Sequence, residues 1–295
     1  MATVPTIAAT GPLWMASVKS GASALGLPVG LQLYSVRDLL PHDFAGTLRQ
    51  IAAIGYQEVE AAGYYNHSVQ EVKSALDAAG LRLPSAHYSY YDLAAKFDSI
   101  IDFNHKLGVH TIICSFPGFK NPELHRNRKS GSPLLDFTME DWHWNAEQFN
   151  AFGTKAKAAG MAFGYHNHTM EFRAENGVTP LDVLIGGTDP ELVTFELDCG
   201  WVVVGGGNPV DYLHRYPTRI SMLHVKDFKK GVGDTSILHP PPAAELGTGA
   251  IDYHPIFTAA KSAQIRHLYI EQEEFNLPPM QSLRIDYDYV KNFTA

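Results

Sequence analysis

The 295-residue chain is 45% hydrophobic and 18% charged, with a formal net charge of −8. That balance offers no basic face for nucleic acid and no polybasic patch for anionic lipid, and it provides core enough for one large α/β barrel or two smaller domains. No stretch of about 18 consecutive apolar residues predicts a membrane span. Cys114 and Cys199 sit in apolar strand-like runs without metal-motif spacing, the pattern of buried free thiols.

Residues 1–27 are small, weakly apolar and unpatterned. They read as an N-terminal extension or the remnant of an export leader; the leader reading implies the periplasm, the other the cytoplasm. From Val29 a strand-then-helix alternation begins. Val29–Val36 reads as the first strand, Phe44–Ile54 as its helix, Gln57–Ala62 as the second strand and Val69–Ala79 as the second helix. Leu83–Tyr88 and Leu93–Leu107 follow, then His110–Phe116. A polar loop over 117–137 carries Lys120, His125, Arg126, Arg128 and Lys129, and Met139–Ala159 is the fourth helix. Strand five ends in Gly164-Tyr-His-Asn-His168, strand six spans Leu192–Cys199, strand seven Ile220–Val225 and strand eight His267–Gln272. Glycines at 55, 80, 108 and 160 stand where helices stop before the next strand. This alternation predicts a parallel sheet with right-handed crossovers, and its eightfold repeat over residues 28–295 a single (β/α)8 barrel. No Gly-x-Gly-x-x-Gly follows the first strand, which argues against a dinucleotide site.

In such a barrel the chemistry gathers at the carboxyl ends of the strands. Four of them end in groups that ligate metals: His166 and His168 on strand five, Asp198 on six, His224 on seven and Glu271 on eight. A helix N-cap is the other role open to Asp198. Glu196, two residues earlier, faces the same way one layer deeper. Imidazole nitrogens with carboxylate oxygens suit manganese first, with cobalt, zinc, iron or magnesium as alternatives. Two carboxylates and two neutral histidines balance a divalent charge.

The segments Leu31-Gln-Leu-Tyr-Ser-Val-Arg-Asp38, Gly164-Tyr-His-Asn-His168, Leu197-Asp-Cys-Gly-Trp201, His224-Val-Lys-Asp-Phe228, Gly247-Thr-Gly-Ala-Ile-Asp252 and Tyr269-Ile-Glu-Gln-Glu273 resemble the sugar phosphate isomerase/epimerase superfamily. These are the xylose isomerase-like barrels that include ketose 3-epimerases, inosose dehydratase and endonuclease IV. The resemblance implies one divalent ion held by strands five to eight, here His166, Asp198, His224 and Glu271. His166 stands where relatives carry glutamate, which leaves Glu171 as an alternative ligand and removes one of the two carboxylate bases of the epimerases. Trp201 stands where many relatives have histidine.

The expected activity is metal-dependent isomerisation, epimerisation or elimination on a sugar, keto-sugar or cyclitol, through proton abstraction beside a carbonyl and a metal-stabilised enediolate. Glu271 is the first-choice base, with His168 or Glu171 handling the second proton. His87, Trp201, Lys226 and Arg37 are candidate substrate contacts; Tyr34, Tyr88, Trp142 and Trp144 are a candidate stacking wall, with core packing their default role. A non-catalytic sugar-binding barrel and an endonuclease IV-like phosphodiesterase are the alternatives, the latter disfavoured by the acidic balance. The expected partner is a carbohydrate, with neither nucleic acid nor membrane; a homo-oligomer is left open.

Overall fold

The computed structural model describes residues 25–124, 136–230 and 240–294. The expected extension or leader falls almost wholly outside the described residues, as do His125, Arg126, Arg128 and Lys129. Eight parallel strands close into the expected barrel, each beside the next in chain order: β1 (Val29–Gln32), β2 (Glu58–Ala61), β3 (Arg82–Ser89), β4 (Thr111–Phe116), β5 (Ala162–His166), β6 (Val193–Asp198), β7 (Ile220–Val225) and β8 (His267–Ile270), which pairs back onto β1. Helices α1 (Phe44–Ile54), α2 (Val69–Ala79), α3 (Tyr90–Leu107) and α4 (Met139–Ala158) follow the first four strands. After β5 comes α5 (Pro180–Gly187), after β6 the short α6 (Cys199–Val204) and α7 (Pro209–Arg215), after β7 α8 (Tyr253–Ala260), and after β8 α9 (Pro279–Lys291). Among the described residues no helix is long and apolar enough to cross a membrane.

Local sequence explains where these elements begin and end. Ser68 with Glu71, and Thr138 with Asp141, form capping boxes at the starts of α2 and α4, each pairing two backbone N–H groups that would otherwise lack partners. Gly80 and Gly108 end α2 and α3 at φ of 68° and 85°, a left-handed turn that a side chain resists. The reading of Val29–Val36 as one strand is corrected. After Gln32 the chain tightens into a 3-10 turn, because the Gln32 side chain accepts a hydrogen bond from Tyr34 N at 3.0 Å. The unexpected α6 is started by Asp198, whose Oδ1 accepts from Trp201 N at 2.7 Å.

Alternate strand residues fill the barrel. Ile113, Met222 and Tyr269 make a separate apolar cluster, and the Tyr269 ring lies 2.4 Å from where a Cβ on Gly30 would stand, so β1 has no room for a side chain there. Ser85 Oγ donates to Tyr269 OH at 2.9 Å. Two residues further along the strands the inward groups become polar: Gln32, Glu60, His87, Glu196, His224 and Glu271. All are buried except His87, which is partly exposed. An apolar plug thus supports a charged layer that opens toward the carboxyl ends.

Candidate metal centre

His166, Asp198, His224 and Glu271 are brought together: each offers one ligand atom within 4.8 Å of the others. The two oxygens of Asp198 divide their work. Oδ1 caps α6, while Oδ2 has no hydrogen-bond partner and faces His224 Nδ1 at 3.8 Å and the Lys226 ammonium at 3.1 Å. Glu271 Oε2 lies 2.5 Å from the same ammonium and 3.3 Å from His224 Nδ1. Lys226 also reaches Glu273 Oε1 at 2.8 Å and lies over the Trp201 ring, 4.6 Å from its centroid.

His224 faces two ways. Its Nε2 lies 2.8 Å from Glu60 Oε2 and 3.2 Å from Glu196 Oε2 and carries a proton between them, while Nδ1 faces Glu271 Oε2 and would present a lone pair to an ion there once it gives up its own proton. His87 Nε2 stands between the same two carboxylates at 2.9 and 2.7 Å, its ring stacked on His224 with centroids 5.5 Å apart. His166 Nδ1 is 3.1 Å from Glu196 Oε2. His87, His166, Glu196 and His224 accordingly form a second, deeper set of four groups with ligand spacing.

The electrostatics follow from this arrangement. Burial opposes charge on His87, but Glu60 and Glu196 raise it to about 9, making it a cation. Burial also opposes charge on His224, and Glu196 outweighs it to lift the imidazole well above its ordinary value. Asp198 is pushed up to about 6 by burial, against the pull of Lys226 and His224. Burial would likewise raise Glu271, yet Lys226 and then His224 hold it well below the usual carboxylate range. His166 stays neutral, lowered first by burial and then by His224; His168 falls to about 3 through burial and the nearby Lys226.

Not every expected site residue arrives at the cluster. Glu171, expected as ligand or proton carrier, has one oxygen accepting from Tyr165 OH and the other from His168 N at 3.0 Å. Tyr165 is the residue before His166 and points the opposite way, against Phe149 of α4, which draws Glu171 out of the barrel mouth. His168 does reach the mouth, its ring 4.9 Å from that of His166 and its buried Nδ1 without a partner. Trp201 packs on Phe228 with its Nε1 also unpaired, and lines a cavity of about 130 Å³ with Arg37 and Lys226. Arg37 spends its guanidinium on the carbonyls of Tyr34 and Glu273, each at 3.0 Å. His87, His166, His168 and Glu271 open onto a larger cavity of about 800 Å³, lined also by Tyr34 and Tyr88. Trp142 belongs to the core at 2% exposure, and Trp144 packs on Tyr90.

The donor set fits a divalent ion. Two carboxylates and two imidazoles converge from neighbouring strand ends, a buried Asp198 oxygen lacks a hydrogen bond, and an ammonium stands between the carboxylates as a substitute positive charge. Glu60, which lies beneath this set against His224 and His87, was not among the residues expected from the sequence. Its signal was a glutamate inside a strand buried on both faces, a position that demands a partner.

A closed parallel barrel with carboxylates and imidazoles gathered at its carboxyl-terminal mouth defines the class. The chain belongs to the xylose isomerase-like TIM barrel family, whose profile matches residues 48–292. It is similar to the inosose dehydratase of Clostridium beijerinckii, 28% identical over 257 residues that cover 78% of this chain and 82% of the relative. A sugar phosphate isomerase/epimerase structure from Parabacteroides distasonis superposes with a TM-score of 0.71 at 26% identity, covering 93% of this chain and 95% of the other. The fold is also that of the 3-keto-D-glucoside 4-epimerase of E. coli, at a TM-score of 0.65 and 16% identity over 90% of this chain and 100% of the other.

Proposed function

We propose that this protein is a sugar-modifying enzyme that removes a proton beside the carbonyl of a keto-sugar or keto-cyclitol and eliminates water across the adjoining bond. The observation that carries this reading is one carboxylate of the ligand cluster, Glu271, held ionised by Lys226 and set beside His168 and His166 where they line an open cavity. Reversible epimerisation calls for a second base across the substrate, and Glu171 is engaged elsewhere. The inosose dehydratase relatives support elimination on a ring of this kind.

His166, Asp198, His224 and Glu271 would hold the divalent ion, with manganese, zinc, cobalt or iron best suited to two imidazoles and two carboxylates. When bound, the ion supplies Lewis-acid polarisation of the carbonyl. Lys226 keeps Glu271 ionised, so its free oxygen can accept the α-proton. The same carboxyl then returns that proton to the departing hydroxyl, so that a C–H bond and a C–O bond break, a C=C bond forms and water leaves. His168, neutral and unpartnered at Nδ1, hydrogen-bonds a substrate hydroxyl and fixes the ring's orientation. Trp201 and Lys226 close the opposite side.

The test is incubation of the metal-loaded protein with an inosose and with 3-keto-glucose, following the ultraviolet absorbance of the conjugated enone and the product mass. Loss of 18 mass units (one water) is expected. Release of an epimer with no dehydrated product overturns the elimination reading.

A further inference from the structure

Resting on the keto-sugar reading, we infer that the substrate carries a second sugar ring, bound on an aromatic wall away from the ligand cluster. The cavity holding His87, His166, His168 and Glu271 measures about 800 Å³. That is near the top of the roughly 300–1,000 Å³ range of small-molecule sites, and much more than one six-membered ring fills. Beyond those residues its lining changes character. Tyr64, Tyr65 and Phe103 face it, with Tyr34 at the rim at 43% exposure.

Two features show that this wall is built rather than left over. Tyr64 OH donates to Asn104 Oδ1 at 2.6 Å, and Asn104 Nδ2 donates to Tyr88 OH at 2.7 Å, so one fully buried asparagine locks both tyrosine rings. The Tyr64 ring is further held against Phe103, centroids 4.8 Å apart. The second feature is the backbone. Tyr65 and Asn66 stand at φ of 50° and 64°, a region a bulky side chain such as that of Tyr65 rarely adopts. Tyr65, Asn66 and Lys96 all line this cavity. Strained backbone concentrates where a ligand must be met, and here it falls on the wall away from the cluster.

The chemistry of the wall selects a sugar. Aromatic faces suit the C–H face of a pyranose, while Asn66, Asp92, Lys96 and Ser99 supply hydrogen-bonding groups for its hydroxyls. Asp92 and Lys96 already pair at 3.1 Å, which leaves the wall without net charge and disfavours a phosphate there.

The experiment compares full-length, metal-loaded protein acting on 3-keto-glucose and on a glucose disaccharide oxidised to the 3-keto form on one ring. The disaccharide is expected to show at least about tenfold higher kcat/KM, gained mainly in KM, as two or more aromatic contacts would give. Tyr65→Ala and Phe103→Ala should each cut the disaccharide-to-monosaccharide ratio about two- to tenfold. Tyr34→Ala, at a half-exposed position, provides a variant with little risk to folding. Because the readout is a ratio within one protein, a loss of folded enzyme cancels. Equal kcat/KM on both sugars, unchanged in all three variants, overturns the second-ring subsite while leaving the keto-sugar chemistry standing. Absence of turnover on either sugar overturns both together.

Discussion

Replacing Lys226 with methionine tests whether its ammonium holds the place of a cation. The ammonium is 4% exposed and lies within 2.5–3.1 Å of oxygens on Asp198, Glu271 and Glu273. Removing one member of a buried ion pair leaves an uncompensated charge and costs about 3–5 kcal/mol. Protonation of Asp198, already raised to about 6, relieves part of this near neutral pH, so the lower figure of about 3 kcal/mol is expected in metal-free protein. For a domain of this size that corresponds to a fall of roughly 6–12 °C in melting temperature. A bound divalent ion restores the missing charge, so the deficit should shrink to within about 1 kcal/mol once metal is saturating, and the stabilisation by metal should grow by the difference. Differential scanning fluorimetry of both proteins, in chelator and across a manganese or zinc titration, reads all four states. An equal loss with and without metal would show that Lys226 is an ordinary structural partner, and the reasoning would fail.

Two further outcomes are expected, the first in the layer beneath. Glu60→Gln weakens the acceptor that fixes the His224 proton on Nε2 and should reduce metal affinity about 10- to 100-fold, measured by competition with a chromophoric chelator; unchanged affinity would separate Glu60 from the centre. Away from the site, Asp286 has one oxygen bonded to Leu246 N at 2.7 Å and the other buried without a partner. Burial first, then Glu245 and Asp227, raise it to about 8. Its folded-state value lies above the unfolded one, so the folded protein binds the extra proton and stability falls as pH rises from about 4 to 8. Asp286→Asn should flatten that decline by a few kcal/mol, read from urea unfolding at pH 5.5 and 8.5; an unchanged slope contradicts the assignment.

Much of the barrel was legible because local and global signals agree. The glycines that close α1 and α2 place the ends of those helices at their observed limits, Ile54 and Ala79. Asp198, His224 and Glu271 were readable because a polar group closing an apolar strand has few other uses in this fold. Glu60 was not, since its partner His224 lies 164 residues away and only closure of the barrel brings them together. The partners of Glu171 were illegible for the opposite reason: adjacency in sequence to His168 says nothing about Tyr165, which turns outward and holds the carboxylate. The second turn of a strand's fate is equally local, as Gln32 shows by capping its own successor and ending β1 early.

The central claim is that Glu271 takes a proton from carbon beside a carbonyl. The most direct measurement is proton NMR of 3-keto-glucose or an inosose in D2O with metal-loaded protein, comparing wild type with Glu271→Gln at equal metal content. Wild type is expected to lose the α-proton signal, and the variant to do so at least about 100-fold more slowly. Exchange that proceeds at the wild-type rate in Glu271→Gln would contradict it.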